Sequence, residues 1–161
     1  MTIATGGYNF YGYSIGVLMN ESTFPRIPGD AGNATTFPFP VRLKVVKGAW
    51  FKRVIDQSDE SLLTPFVLAA KELEAEGVEA ITTNCGFLAM FQQELSKQLT
   101  VPVFTSSLLW VPMISRMLGP NKRVGIMTVD SRMLKEKHFA GCGWSSEDIP
   151  IVVYGMENEE M

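Results

Sequence analysis

The chain has 161 residues, roughly one domain's worth at about 150 residues per domain. With 46% hydrophobic and 19% charged residues, it is too apolar for a disordered or solvating segment. Fourteen Lys+Arg against seventeen Asp+Glu give a net charge of −3. Since no long basic run is present, neither nucleic acid nor an anionic membrane surface is an expected partner.

Taken in chain order, Ser14-Ile-Gly-Val-Leu-Met-Asn20 is a continuous apolar run ending in a polar residue, as in a strand buried on both faces of a parallel sheet. Glu21 to Asn33 is dense in Pro, Gly, Asp and Asn and reads as loop, prolonged by Pro38 and Pro40. Val41 to Val46 and Trp50 to Ile55 read as short extended pieces. From Ser61 to Glu76 the period becomes helical, with Leu62, Phe66, Ala69, Ala70 and Leu73 on one face. Pro65 suits a first turn and Gly77 a C-terminal cap. Val78 to Thr83 is strand-like and leads into Asn84-Cys85-Gly86, after which a second helix is predicted to Leu99.

Val101 to Thr105 reads as a strand and Ser106 to Leu118 as a buried helix, with Met113 and Met117 in its core. Pro112 calls for a kink or a delayed start, and Gly119-Pro120 is a stop. Arg123 to Thr128 is another strand. A helix capped by Asp130 or Ser131 runs to Ala140, where Gly141 ends it, and Ile151 to Tyr154 is the last strand. The βαβαβαβ alternation predicts a doubly wound, mainly parallel α/β sheet. The boundaries read as a first lobe over 1–120 and the start of a second over 121–161.

Ligands of open parallel sheets bind outside the carboxyl ends of the strands. Asn20 with its loop, Thr83-Asn84-Cys85-Gly86, and Thr128-Val-Asp-Ser131 all fall there. A rough echo between Ala80-Ile-Thr-Thr-Asn84 and Gly125-Ile-Met-Thr-Val129 suggests two similar half-units facing one cleft. Cys85 stands where a strand gives way to a helix, so unpaired N–H groups and the helix dipole would favour a thiolate. An ordinary thiol is only about 3% ionised at pH 7, and lowering its pKa to near 7 takes roughly 2 kcal/mol. Gly86 would let a carboxylate approach the backbone without a side chain in the way. The competing reading of Cys85 is a small buried packing residue.

Two cysteines and the single His138 lack metal-ligand spacing, so no metal is expected. Residues Met1 to Tyr8 carry no Lys or Arg, and no apolar run approaches the roughly 20 residues of a membrane span. The chain is therefore expected to be reduced and cytoplasmic. Cys142 reads as structural and His138 as a surface cation near a helix C-terminus. Gly6-Gly7 and Gly12 lack the setting of a phosphate loop. Tyr8, Phe10, Tyr11 and Tyr13 are expected against the sheet or a second subunit, and an unfinished sheet edge points to a homo-oligomer.

Val78 to Leu88 with Val101 to Leu109 resembles the aspartate/glutamate/hydantoin racemase superfamily, and Phe24 to Asn33 with Val124 to Thr128 is similar to one branch of it. The resemblance implies a racemase-like fold and cofactor-independent proton transfer at a carbon next to a carboxylate. The substrate class would be a small carboxylate or amino acid such as aspartate or glutamate. It makes Cys85 the catalytic thiol and assigns the substrate carboxylate to Asn84, Gly86 and Thr128, with Thr83 in support. Asn20 would deliver a polar group to the cleft, and Arg26 would close over an anion. Members of that superfamily are longer and carry a second cysteine that Cys142 does not match, so the resemblance implies a complete first lobe and a partial second. The alternatives left open are a non-catalytic carboxylate-binding lobe and an isomerase or decarboxylase of a dicarboxylic acid.

Overall fold

The structure, a computed structural model, describes residues 6–159. The leader reading of Met1 to Tyr8 therefore lies mostly outside the described residues. Strand β1 (Ile15–Glu21) is buried on both faces, as its unbroken apolar run requires. It lies between β2 (Val41–Trp50) and β3 (Ala80–Thr83), and β4 (Val103–Phe104) completes a parallel sheet of order β2-β1-β3-β4. Strands β5 (Val124–Thr128) and β6 (Ile151–Gly155) form a second parallel pair. The fold is α/β with parallel pairing throughout the described residues.

The chain leaves β1 for β2 on one side and returns to β3 on the other. The carboxyl ends of β1 and β3 therefore flank a topological switch point, where open sheets form a crevice. The β1–β2 connection has no α-helix. Residues 22–40 instead form a loop with a single 3-10 turn, Ala34–Thr36. That loop places Phe37 against Val17, Met19 and Val41, while the other face of β1 packs Leu18 into the main core with Phe66, Leu73 and Ile81.

Helix α1 (Leu63–Ala75) buries Phe66, Ala69, Ala70 and Leu73, as its periodicity predicted. Its end is a left-handed cap. Gly77 takes φ +91° and donates to Glu74 O, while Val78 N–H reaches Leu73 O at 3.4 Å. Other elements depart from expectation. Within the Trp50 to Ile55 stretch read as extended, the chain instead enters a wide helical turn over Lys52–Asp56, with Val54 and Ile55 buried in the main core. The predicted second helix is a 3-10 segment, Gly86–Phe91, followed by the short α2 (Gln92–Gln98).

Pro112 delays rather than kinks. A 3-10 turn, Ser107–Trp110, precedes α3 (Val111–Met117) with Pro112 in its first turn. That helix is only partly covered, and Met113 and Met117 are exposed instead of core. Helix α4 (Glu136–Gly141) is shorter than predicted and packs on Gly86–Phe91. Phe139 stacks on Trp144 at 4.4 Å, and Trp144 Nε1 donates to Leu108 O (3.0 Å). This second core joins β5 to the first sheet's 3-10 segments. Among the described residues no helix is long and apolar enough to cross a membrane.

Candidate functional site

The turn after β3 is built by its own side chains. Thr83 Oγ1 donates to Thr105 O (2.7 Å) and accepts from Cys85 N–H (3.4 Å). Asn84 N–H donates to Leu18 O (3.1 Å), and Asn84 Oδ1 accepts from Asn20 N–H (2.8 Å). The ends of β1 and β3 are thereby tied together, which leaves the Asn84 Nδ2 donor outside the tie. Cys85 then takes an extended conformation ahead of the Gly86–Phe91 segment.

At Asn20/Glu21 the β1–β2 register slips, so that Glu21 faces Trp50 while Asn20 faces Val46. Glu21 Oε2 fills the bulge by accepting from Gly48 N–H (2.6 Å). Such bulges bend a strand end and re-aim its side chains, and here Asn20 and Glu21 both reach the crevice.

Two cavities meet at Ile55, Asn84 and Cys85. The larger, about 340 Å³, lies between the two sheets and is lined by Gly86, Ser106, Ser107 and Thr128 among apolar walls. The smaller, about 170 Å³, lies under the 22–40 loop with Asn20, Glu21, Arg26 and Asp30 in its lining. Asn20, Asn84, Cys85, Gly86, Thr128 and Arg26 are thus gathered around one thiol. Thr83 is not. It lines neither cavity, and its hydroxyl is spent holding the turn. Arg26 is committed inside the loop, to Asp30 (2.9 and 3.2 Å), to Ser22 Oγ (2.8 Å) and over the Phe24 ring at 4.2 Å.

The thiol itself departs from expectation. Burial pushes the Cys85 pKa up, outweighing the opposing pull of the Phe87 N–H, the Asn20 amide, the Arg26 charge and the Leu88 N–H. A short 3-10 start supplies too little field to overcome desolvation, so the resting group is a thiol rather than a thiolate. The Phe87 and Leu88 N–H groups and the Asn20 amide are nonetheless already directed at the sulfur.

His138 also reverses its expected role. It is fully buried, not a surface cation, with its ring edge-on to Phe87 at 5.3 Å. Its Nδ1 accepts from Lys135 N–H (3.0 Å) at the start of α4, and burial lowers its pKa, so it is held neutral. Cys142 lines a separate cavity beside α2, where burial raises its thiol to about 11. Both cysteines are free. No group of three His, Cys, Asp or Glu among the described residues is placed to hold a metal.

Ser106 and Ser107 were missed from sequence, although the strand-end rule that selected Thr83 to Gly86 applies equally to the residues after β4. Phe51 and Ile55 had no sequence signal, because their place follows from the unexpected turn after β2.

No protein-family model matches the chain. A dimethylsulfoniopropionate lyase from Durusdinium sp. clade D is 30% identical over 154 residues, covering 91% of this chain and 50% of that protein. Dimethylsulfoniopropionate lyase 6 of Emiliania huxleyi (strain CCMP1516) is 29% identical over 151 residues, 90% of this chain and 39% of its own. Lyase 7 of the same organism is 28% identical over 150 residues, 90% of this chain and 44% of its own. The chain spans about half the length of these relatives or less. The crystal structure of an aspartate racemase homologue from Pyrococcus horikoshii OT3 matches with a TM-score of 0.45 and 15% identity, over 91% of this chain and 66% of that one. That likeness is too distant to bear on function. The curated relatives thus correct the expectation of an amino-acid racemase, and with it the isomerase class, because the proteins this chain is similar to over nine-tenths of its length are named lyases.

Proposed function

We propose that this chain carries a thiol-based lyase site for dimethylsulfoniopropionate or a closely similar β-sulfonio carboxylate. The similarity to the named lyases over nine-tenths of the chain carries this reading, and the placement of Cys85 at the wall between two cavities supports it. Racemisation needs groups on both faces of the reacting carbon, whereas elimination needs one base. Cys85 as thiolate takes the proton from the carbon next to the carboxylate. The C–H electron pair becomes the new C=C bond as the C–S bond breaks, and the departing pair stays on sulfur. Zwitterion plus thiolate give acrylate, neutral dimethyl sulfide and the thiol, so charge and atoms balance.

In this reading the carboxylate lies in the larger cavity, against Gly86, the Ser106 and Ser107 hydroxyls, Thr128 and the Asn84 amide. Ionisation of the buried thiol is coupled to binding. A sulfonium about 5 Å from the sulfur at an effective dielectric of about 20 favours the anion by about 3 kcal/mol, so substrate itself opposes the desolvation that keeps the resting thiol protonated. Two free thiols fit a reducing, cytoplasmic setting for this chemistry.

The test is dimethyl sulfide release from dimethylsulfoniopropionate, followed by headspace gas analysis for the wild type and Cys85→Ala. A general base contributes about 10²–10⁴-fold, and Cys85→Ala is expected to lose at least that much. Because the thiol must lose its proton and burial holds that proton on, the rate is expected to climb with pH through the alkaline range. No gas from the wild type, or equal release from Cys85→Ala, refutes the proposal.

A further inference from the structure

We infer that the smaller cavity is the cation compartment of this site and takes the short-alkyl sulfonium end of the substrate, with the carboxylate end in the larger cavity. The inference rests on the lyase reading above and adds to it an orientation and a selectivity. The two cavities differ in charge. The larger has no Asp, Glu, Lys or Arg in its lining, whereas the smaller has Glu21, Asp30 and Arg26, a formal excess of one negative charge. Arg26 is paired with Asp30 and held by Ser22, so the excess rests on Glu21. Glu21 accepts one N–H, from Gly48, and forms no ion pair among the described residues.

A second observation is independent of charge. Asn20 is only 7% exposed and lines the smaller cavity, and its Oδ1 is buried with no hydrogen-bond donor among the described residues. Buried acceptors are nearly always matched. An anion placed there would meet another unpaired acceptor. A sulfonium brings methyl groups whose polarised C–H bonds suit a carbonyl oxygen and a carboxylate together. Phe51 adds an aromatic ring to the wall, a surface that favours alkylated cations. A volume of about 170 Å³, below the roughly 300 Å³ at which drug-sized pockets begin, selects small alkyl groups.

The position of the thiol follows from the same division. With the anion held on one side of Cys85 and the cation on the other, the atoms opposite the sulfur are the two carbons between them. Those are the carbon that loses a proton and the carbon that loses the leaving group.

The experiment uses each half of the substrate as a probe. Binding of trimethylsulfonium or of propionate to the full chain is measured by isothermal titration calorimetry rather than by thiol alkylation, which a cation beside Cys85 would itself speed by raising the thiolate fraction. In the wild type both are expected to bind. Glu21→Gln, which keeps an oxygen for Gly48, and Phe51→Leu are each expected to weaken trimethylsulfonium binding at least fivefold and leave propionate within twofold. Ser107→Ala is expected to do the reverse. The inference is overturned if trimethylsulfonium does not bind, if both smaller-cavity variants leave its binding unchanged, or if they weaken propionate instead. Divided binding without gas release fails the lyase reading alone, and gas release without divided binding fails this inference alone.

Discussion

Gly141 ends α4 where that helix rests on the segment leading away from Cys85. A Cβ added there would lie 2.2 Å from Ala89 O, 2.8 Å from Met90 Cα and 2.9 Å from Ala89 C. Carbon atoms rest about 3.5–4.0 Å apart, so Gly141→Ala needs a displacement of about 1 Å. The obstacle is main chain, which cannot rotate aside as a side chain would. Moving α4 disturbs the Phe139–Trp144 stack and the Phe87–His138 contact, and with them a wall of the larger cavity. Overpacking costs about 1–3 kcal/mol, and rigid neighbours place this case near 3 kcal/mol. For a domain of this size the melting temperature should fall by about 6–12 °C. Two controls isolate the cause. Gly143→Ala, at φ +81° with nothing near its Cβ, carries only backbone strain of about 1 kcal/mol. Gly119→Ala opens into free space and should stay within about 0.5 kcal/mol of wild type. Thermal and urea unfolding of the three variants decide the matter, and Gly141→Ala no worse than Gly143→Ala refutes the reasoning.

Gln92 is a second point of stability, because its Oε1 accepts from Thr105 N–H (2.9 Å) and Oγ1 (2.8 Å) while its Nε2 donates to Val103 O (2.9 Å). Gln92→Leu leaves those buried groups unmatched at about 1–3 kcal/mol each, so a loss of about 3 kcal/mol is expected as a lower urea midpoint at unchanged slope. Burial holds the His138 pKa below its ordinary 6.5, so below that pH the unfolded chain takes up a proton before the folded one does. Stability is therefore full above about pH 6.5 and falls as pH drops. The wild-type melting temperature should decline from pH 7 to 5 more steeply than that of His138→Gln, and parallel curves would contradict a buried neutral ring.

The strand order of polarity was legible in the sequence because parallel strands buried on both faces must be continuously apolar and must end in polar turns. This placed β1, β3 and β5 and put Asn20, Asn84, Cys85, Gly86 and Thr128 at their ends. The Gly77 cap was legible for an equally local reason, its positive φ. Where a residue departs from the burial its local pattern suggests, the reason lies in distant segments that the sequence does not reveal. Met117 has the pattern of a core residue but receives no cover, and His138 reads as a surface cation but lies under Phe87. Cys85 stands at a strand-to-helix turn, yet whether such a thiol ionises depends on the balance between aimed N–H groups and lost water. That balance is set by the 22–40 loop and the second sheet closing over it from opposite sides. The chain's local chemistry thus fixed which groups arrive at the crevice. Only tertiary packing decided their protonation, their free valences and the two compartments that meet at the sulfur, because burial and electric field are properties of neighbours far apart in sequence.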